Sequence, residues 1–362
     1  MINNFLWIQS LKISSKAHCN SFKNNHHDPS DSGCKLEKKK MQIDEIFEAN
    51  KRLKNKKRIT PLLNSPFLDE IAGRKIFIKA ECLQHTGSFK FRGAYSAISS
   101  LPIEKRKKGV IAYSSGNHAQ GVALAAKIHE IPATIIMPED APEIKINNTK
   151  DLGAEVILYD RLNESREDIG KKISEENLLS LIPPYDHTHV IAGQGTIGIE
   201  IAEQANQNGI EKADVLVCCG GGGLTSGIAV ALSKLMPSFI TRPVEPEGFD
   251  DVIRSLESGE RQVNEQISGG LCDAIITPTP GELTFPLMKK YCGEGIVVTD
   301  EEVMKAIALA FTRLRIVVEP GGAVALAAAL FHTKKCNNDT LVAVVSGGNI
   351  DPDIFRKAIE MT

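Results

Sequence analysis

The fold is decided by residues 109–160, which read GVIAYSSGNHAQGVALAAKIHEIPATIIMPEDAPEIKINNTKDLGAEVILYD. Short apolar runs typical of buried strands alternate here with stretches of helical character. The strand-like runs are 110–113, 133–137 and 154–159, and the helix-like stretches are 119–129 and 143–152. Because strands that alternate with helices build crossover units, this pattern predicts a small parallel α/β domain.

A run of four glycines follows the apolar run 215–219 and precedes a helix-like stretch at 224–232. The run consists of Gly220, Gly221, Gly222 and Gly223. Glycine lets backbone N–H groups converge on an anion, and a following helix N-terminus favours negative charge. The run fits neither G-x-G-x-x-G nor the lysine-containing P-loop. We therefore predict a phosphate cradle of another kind, and a glycine-rich turn without a ligand is the alternative.

Lys90 lies in residues 81–94, ECLQHTGSFKFRGA, just after a polar turn that follows the strand-like run 75–80. A lysine amine attacks an aldehyde only when it is deprotonated, and burial or nearby charge lowers its pKa enough. That is the chemistry by which a lysine binds pyridoxal phosphate, whose ring acts as an electron sink. Alone, a lysine is more often a solvated surface charge, so the other segments decide.

Two more strand-like runs end in small hydrogen-bonding residues. SSGNH at 114–118 follows the strand-like run 110–113, and SGGNID at 346–351 follows the run 341–345. Ligands of open α/β sheets bind at the carboxyl ends of strands. Each segment alone could be an ordinary turn.

Together the four segments resemble the serine/threonine dehydratase (threonine ammonia-lyase) and serine racemase family of pyridoxal-phosphate enzymes of fold type II. The resemblance runs from about Met41 to the C-terminus. It implies an α/β fold of two parallel-sheet domains with the tryptophan-synthase-β-like architecture. Residues 41–101 and 190–362 would form a large cofactor-binding domain, and 102–189 a small domain that closes over the active site.

The resemblance also implies roles for single residues with pyridoxal 5'-phosphate as cofactor. Lys90 matches the Schiff-base lysine, and Phe89 the aromatic residue beside the ring. Asn117 matches the partner of the phenolic oxygen, and Ser346 the partner of the pyridine nitrogen. The phosphate cup matches Gly220, Gly221, Gly222, Gly223 and Leu224. The substrate carboxylate loop matches Ser114, Gly116, Asn117 and His118.

The implied reaction is the deaminating dehydration of a β-hydroxy amino acid, from L-threonine to 2-oxobutanoate and ammonia or from L-serine to pyruvate and ammonia. The alternatives are a serine racemase and a dehydratase of 3-hydroxyaspartate or a related hydroxy amino acid. Ser115 matches the second acid/base of the racemases, where many dehydratases carry alanine, and racemisation needs a base on each face. A β-replacement enzyme and a binding protein without turnover are further alternatives.

An acidic segment at 245–251, EPEGFDD, contains four carboxylates. Such oxygen ligands suit Mg²⁺ or Ca²⁺. In the relatives with a divalent site, Glu245 and Asp251 would match the carboxylate ligands, and Phe249 the residue that contributes its carbonyl. The alternative is an acidic solvated loop.

Composition agrees with a soluble α/β enzyme, since hydrophobic residues make up 42% of the 362 and aromatic residues 5%. A net charge of −2 gives no reason to expect nucleic acid or a membrane as a partner. The expected partners are a small amino-acid substrate and further copies of the chain, as a dimer or tetramer by resemblance. Eight cysteines without C-x-x-C spacing indicate free thiols in a reducing, cytoplasmic location.

Both ends of the chain carry expectations of their own. Residues 1–40 are polar and are expected to be a disordered extension, with a transit peptide as the alternative. The basic cluster 51–58 is expected to be the solvated face of a first helix that begins near Met41. Few residues follow the 346–351 segment, so we expect a catabolic enzyme without the regulatory domain of biosynthetic threonine deaminases.

Overall fold

Two β-sheets frame the computed structural model, which describes residues 41–266 and 268–361. In this part of the chain, one sheet has six strands in the order β1-β2-β10-β7-β8-β9, and the other has four in the order β5-β4-β3-β6. The strands are β1 Leu62–Asn64, β2 Lys75–Ala80, β3 Val110–Tyr113, β4 Ala133–Pro138, β5 Glu155–Tyr159, β6 Ser180–Leu181, β7 Ala213–Cys218, β8 Phe239–Pro246, β9 Ile296–Val298 and β10 Thr340–Val345. Neighbouring strands are parallel except for β1, which is antiparallel to β2. The predicted α/β class with parallel sheets is thus confirmed.

The α-helices connect these strands. They are α1 Ile43–Arg52, α2 Pro66–Ala72, α3 Lys90–Ser100, α4 Ile103–Lys108, α5 Asn117–Ile128, α6 Glu143–Asp151, α7 Arg166–Asn177, α8 Thr188–Gln207, α9 Gly223–Leu235, α10 Asp251–Ser258, α11 Thr284–Tyr291, α12 Asp300–Leu309, α13 Pro320–Phe331 and α14 Pro352–Ile359. Helix α8 packs against α9, α3 and α1, and α13 packs against β7 and β10. None of the helices in the described ranges is long and apolar enough to cross a membrane.

The smaller sheet follows the alternation predicted for residues 109–160. Strand β3, helix α5, strand β4, helix α6 and strand β5 come in that order, and α5 starts two residues earlier than predicted, at Asn117. All four strands of this sheet lie inside 102–189. The division into a large and a small domain stays a prediction, and residues 1–40 lie outside the described residues.

The core of the larger sheet is built around β7 and β10. Every residue of β7 is buried, and so is all of β10 after Thr340. Central parallel strands are covered on both faces, which is why both segments are continuous apolar runs. Each fully buried valine, leucine or isoleucine contributes roughly 1.5–3 kcal/mol to stability. The carboxyl ends of these strands are thereby held rigidly.

The expectation for the basic cluster 51–58 was wrong in part. Helix α1 ends at Arg52, and the chain then turns through Asn55, whose φ is 62°. This turn carries Lys57 away from the helix face, and its ammonium group pairs with the buried carboxylate of Glu200. Lys51 lies on the helix and is solvated as expected, since its side chain is 71% exposed, and Lys54, Lys56 and Arg58 are also exposed although they follow the helix.

Candidate active site

A cavity of about 700 Å³ lies where β3, β7 and β10 end. It is lined by the segments that follow these strands and by the start of α3. The residues predicted from the sequence that line it are Phe89, Lys90, Ser114, Ser115, Gly116, Asn117, His118, Gly220, Gly221, Gly222, Gly223, Leu224 and Ser346. The fold therefore brings the four segments together in one place, and the individual roles stay predictions.

Lys90 is the first residue of α3 and is directed into this cavity. Its Nζ donates a hydrogen bond of 3.0 Å to the carbonyl oxygen of Pro184 and lies 5.2 Å from the ring centroid of Phe89. Burial lowers the pKa of Lys90 to about 8, because the charged ammonium loses its hydration. A substantial fraction of the amine is consequently neutral, and so nucleophilic, near pH 8.

The four glycines form a loop between β7 and the N-terminus of α9. Gly222 has a φ of +88°, a conformation that favours glycine. A Cβ on Gly220 would lie 2.6 Å from the carbonyl oxygen of Ile275, and a Cβ on Gly221 would overlap the ring of Tyr185. Side chains are thus excluded, and the 13-residue helix α9 points its free N–H groups toward this loop. The loop fits a phosphate group.

Glu319 is a site residue that the sequence reasoning missed. Its carboxylate accepts a 2.5 Å hydrogen bond from Asn117 Nδ2, inside the cavity. Asn117 Oδ1 in turn accepts from Asn349 Nδ2 at 2.6 Å. Burial raises the pKa of Glu319 to about 7, although the hydrogen bond from Asn117 opposes this shift. The signal in the sequence was an acidic residue inside the apolar run 316–330.

These contacts leave Asn117 with limited hydrogen-bonding capacity. A side-chain amide has two N–H hydrogens and one carbonyl oxygen. The oxygen is occupied by Asn349, and one hydrogen is donated to Glu319. One N–H remains to donate to a ligand in the cavity. The predicted role of Asn117 as the partner of the phenolic oxygen of the cofactor requires such an N–H.

A family model described as pyridoxal-phosphate dependent enzyme matches residues 53–347 of the chain. The chain belongs to this family. The amine of Lys90 with its lowered pKa and the glycine loop at a helix N-terminus fit the aldehyde and the phosphate of pyridoxal phosphate. The protein is therefore a pyridoxal-phosphate enzyme.

Similar proteins narrow the family further. The chain is 41% identical over 317 residues to an L-threo-3-hydroxyaspartate ammonia-lyase of a Pseudomonas species, covering 87% of this chain and 98% of that protein. It is 42% identical over 319 residues to the L-threonine ammonia-lyase of Thermotoga maritima, covering 88% and 78%. The structure of maize serine racemase is 37% identical with a TM-score of 0.82, covering 88% of this chain and 97% of that one. These likenesses confirm fold type II of the tryptophan-synthase-β-like class and a lyase.

The loop after β3 contains the residues predicted to meet the substrate carboxylate of this pyridoxal-phosphate enzyme. Ser114 Oγ accepts a 3.2 Å hydrogen bond from Gly116 N, and Ser115 is half-buried at the cavity wall. His118 Nε2 lies 2.8 Å from the carbonyl oxygen of Ile182. Burial, together with nearby Lys90, lowers the pKa of His118 to about 3, so the imidazole is neutral and Nε2 carries the donated hydrogen.

Cys218 ends β7 and Ser346 directly follows β10, the two central strands, and both residues line the cavity. Ser346 is 3% exposed and Cys218 also 3%. Burial raises the pKa of the Cys218 thiol to about 11, so it stays protonated and is a poor nucleophile near neutral pH. A serine hydroxyl is a weak acid, and as a partner of the pyridine nitrogen it would leave that nitrogen largely unprotonated.

Cationic side chains line the outer part of the cavity, which sequence reasoning did not foresee. Three such side chains each form an ion pair with an acidic side chain, and all three pairs are accessible to solvent. The pairs are Arg166–Glu167 at 2.8 Å, Lys145–Asp273 at 3.7 Å and Arg261–Glu282 at 3.9 Å. Accessible pairs are weak, so a bound anion can compete for these cations.

The acidic segment lies away from the cavity, at the end of β8 and the start of α10. Glu245 is fully buried and accepts hydrogen bonds from the backbone N–H groups of residues 252 and 253 at 3.1 and 2.8 Å. Asp251 is 1% exposed, and its Oδ1 accepts a 2.6 Å hydrogen bond from Asn264. The reading of these two carboxylates as part of a solvated loop was therefore wrong.

Both carboxylates are buried and close enough to repel each other, and the positive charge of Arg254 only partly offsets the effect of burial on Asp251. Burial, reinforced by Asp251, raises the pKa of Glu245 well above its usual value, and burial raises the pKa of Asp251 to about 7. Asp251 Oδ2 is buried without a hydrogen-bond partner. Oxygen donors in this state fit Mg²⁺ or Ca²⁺. No group of three or more His, Cys, Asp or Glu side chains suited to a metal occurs in the described ranges. The site with Glu245, Asp251 and the Phe249 carbonyl thus stays a prediction.

Proposed function

We propose that the protein catalyses the deaminating dehydration of β-hydroxy amino acids, from L-threonine to 2-oxobutanoate and ammonia and from L-serine to pyruvate and ammonia. The observation that carries the proposal is the partly buried amine of Lys90, which lies in the cavity 3.0 Å from the Pro184 carbonyl oxygen and whose pKa is lowered to about 8. A base with a pKa near the working pH takes and returns a proton efficiently. The similarity to the L-threonine ammonia-lyase of Thermotoga maritima supports the same reaction.

When bound, pyridoxal phosphate supplies the electron sink that stabilises negative charge at the substrate Cα. The chain's own residues supply positioning and proton transfer. Lys90 takes the Cα proton, and the N–H groups of the loop 114–118 hold the substrate carboxylate. Ser346 leaves the pyridine nitrogen without a strong acid, which favours early departure of the β-hydroxyl over a long-lived carbanion. The enamine that remains tautomerises and is hydrolysed to the keto acid and ammonia.

A second substrate, L-threo-3-hydroxyaspartate, is favoured by the cations of the outer cavity. The side-chain carboxylate of this amino acid needs a positive partner, and the guanidinium of Arg166 gives a planar, two-pronged one. Arg166 is stacked over the ring of Tyr113 at 5.6 Å, which leaves its position defined. The similarity to the Pseudomonas L-threo-3-hydroxyaspartate ammonia-lyase supports this candidate.

The decisive experiment measures keto-acid release by the purified holoenzyme from L-threonine, L-serine and L-threo-3-hydroxyaspartate, with D-serine resolved in the same samples. We expect keto acid from at least one of the three. Lys90→Ala should lower the rate by about a thousandfold or more, while the exposed Lys51→Ala should not. No keto acid from any of the three, or full activity in Lys90→Ala, would refute the proposal.

Arg166 separates the two substrates. Arg166→Met should lower kcat/KM for L-threo-3-hydroxyaspartate by about a hundredfold, because a charge-assisted contact to the second carboxylate is lost. It should leave kcat/KM for L-threonine nearly unchanged. Arg356→Met is the matched control, since Arg356 pairs with Asp353 at 3.2 Å outside the cavity. An equal loss for both substrates would contradict the role of Arg166 in specificity.

We also propose that the enzyme is a cytoplasmic homo-oligomer, a dimer or tetramer. The location is supported by the cysteines of the described ranges, all of which are free thiols. The oligomer is supported only by resemblance to the family. Light scattering on the purified protein measures the number of copies, and a monomer at micromolar concentration would refute that part.

A further inference from the structure

Gln194 lies in the cavity wall, and the proposed dehydration assigns it no role. It lies on α8, is 1% exposed and faces the cavity beside Lys90. Its Nε2 is 3.5 Å from the Pro184 carbonyl oxygen, at the long limit of a hydrogen bond, and its Oε1 is buried without a partner. Each unmet buried polar atom costs free energy. The amide of Gln194 is therefore placed to form a better hydrogen bond when the bonding of a neighbouring group changes.

The Pro184 carbonyl oxygen has two donors near it. Lys90 Nζ donates to it at 3.0 Å, and Gln194 Nε2 stands 3.5 Å away. Lys90 loses this hydrogen bond when its nitrogen bonds to the cofactor aldehyde carbon. Formation of this bond would release the aldehyde oxygen as water with both hydrogens of the neutral amine, so the neutral lysine nitrogen would have no hydrogen to donate to Pro184. The carbonyl would need another donor in that state, and Gln194 Nε2 is the nearby side-chain donor.

We propose that Gln194 is a positioning residue that takes over the Pro184 carbonyl whenever Lys90 is bonded to the cofactor. When Lys90 is free, its Nζ donates to the Pro184 carbonyl oxygen at 3.0 Å, and Gln194 Nε2 lies 3.5 Å from the same oxygen. When Lys90 is bonded, the amide moves in by a few tenths of an ångström. The carbonyl is satisfied in both states, which lowers the free-energy difference between them and eases each release and return of the lysine.

The amide of Gln194 packs between two glycines. A Cβ on Gly93 would lie 3.1 Å from Nε2, and a Cβ on Gly223 would lie 2.6 Å from Oε1. Side chains at these positions would therefore displace the amide from the Pro184 carbonyl, and glycine keeps it there. The backbone of Gln194 is fixed within the 20-residue helix α8, which is buried along most of its length. Only the side chain can move.

Equilibrium dialysis of the holoenzyme tests the proposal, with the absorbance of lysine-bonded cofactor as a second readout. Gln194→Leu keeps the size but removes the donor. We expect its dissociation constant for pyridoxal phosphate to rise about tenfold and the lysine-bonded fraction to fall. Ile191→Val, a packing change one turn earlier on α8, should leave both unchanged. Wild-type affinity and a wild-type bonded fraction in Gln194→Leu would overturn the proposal.

Gln194→Glu keeps the shape of the side chain and decides the matter if the leucine variant does not fold. A carboxyl group donates a hydrogen bond only when it is protonated. The ratio of its dissociation constant to that of the wild type should therefore rise with pH, whereas the ratio for Gln194→Leu should stay flat. A flat ratio for Gln194→Glu contradicts the inference. These readouts follow the cofactor and need no substrate, so a failure of the proposed dehydration would be recognised separately.

Discussion

Asn117 and Glu319 are joined by a 2.5 Å hydrogen bond across a separation of 202 residues in the chain. Asn117 begins α5 beside the smaller sheet, and Glu319 directly precedes α13, which packs on the larger sheet. Both side chains line the cavity. The bond therefore connects the two sheets of the enzyme at the cavity, where we predict that the cofactor binds, and it fixes the orientation of the Asn117 amide.

Glu319→Gln should change the pH dependence of stability. The pKa of Glu319 is raised to about 7 from a usual 4.5, mainly by burial, so the folded state binds this proton more tightly than the unfolded state. This contribution to the free energy of unfolding is complete below about pH 4.5 and is lost as the pH rises to about 7. In the cofactor-free protein, the wild type should lose up to about 3 kcal/mol over this range relative to Glu319→Gln.

Urea unfolding at a series of pH values measures this difference. The exposed Glu294→Gln variant is the control and should follow the wild type throughout. Parallel profiles for wild type and Glu319→Gln would show that the carboxyl does not titrate as its burial requires.

Arg92 is the centre of a buried group of charges two residues after Lys90. It donates to Glu81 at 2.7 and 2.8 Å and to Glu200 at 2.7 Å, and all three side chains are at most 2% exposed. Lys79 donates to the other oxygen of Glu200 at 2.7 Å. These bonds connect α3 to the turn after β2 and to α8, and so hold the start of the helix that carries Lys90.

Arg92→Met should lower the free energy of unfolding by about 3–5 kcal/mol, because it leaves buried carboxylates without their main partner. Denaturant unfolding monitored by circular dichroism measures the loss. Lys51→Ala, which breaks the exposed pair with Glu48, should have little effect. A loss in Arg92→Met as small as in Lys51→Ala would mean that the buried group contributes little.

The parts of the fold that the sequence predicted depend on short stretches of chain. The alternation in 109–160 and the strand, glycine run and helix at 215–232 are patterns within one or two elements, where burial and backbone geometry act locally. Strand ends of a parallel sheet meet at one edge, so the four segments could be expected at a common site. The cavity they line agrees with that expectation.

The missed features depend on contacts between distant parts of the chain. Glu319 meets Asn117 only after the two sheets are assembled, and Lys57 reaches Glu200 across 143 residues because the chain turns after α1. Arg166 lies at the start of α7, in a polar stretch that has no periodicity to set it apart. Local sequence patterns determine which face of a helix or strand is buried. They do not determine which polar group from a distant part of the chain that face will contact.

The acidic pair of Glu245 and Asp251 predicts stabilisation by a divalent cation. Two buried carboxylates that repel each other are unfavourable when ionised, even with Arg254 near Asp251, and Mg²⁺ or Ca²⁺ would relieve the repulsion. Adding either ion at millimolar concentration near pH 8 should raise Tm by a few degrees, and a chelator should reverse the effect. Asp251→Asn should abolish the response, whereas the exposed Asp353→Asn should keep it. If the Tm of the wild type does not respond to either ion, the prediction of a divalent cation site is wrong.

We predict that Ser115 decides between elimination alone and elimination with racemisation. Inversion at Cα needs a proton to leave one face and another to arrive on the opposite face, and Lys90 can serve only one of them. Ser115 lines the same cavity, half-buried in the loop after β3. If it is the second acid/base, Ser115→Ala should lower D-serine formation from L-serine by about a hundredfold or more, while pyruvate release stays within about threefold.

Chiral chromatography of D-serine and a keto-acid assay on the same samples measure both rates. Ser114→Ala, one residue earlier in the loop, controls for a change in loop shape, because Ser114 Oγ accepts from Gly116 N. Equal losses of both products in Ser115→Ala would indicate that Ser115 binds the substrate without transferring protons. If both rates stay unchanged, Ser115 has no part in the reaction, and the enzyme works with Lys90 as its one base.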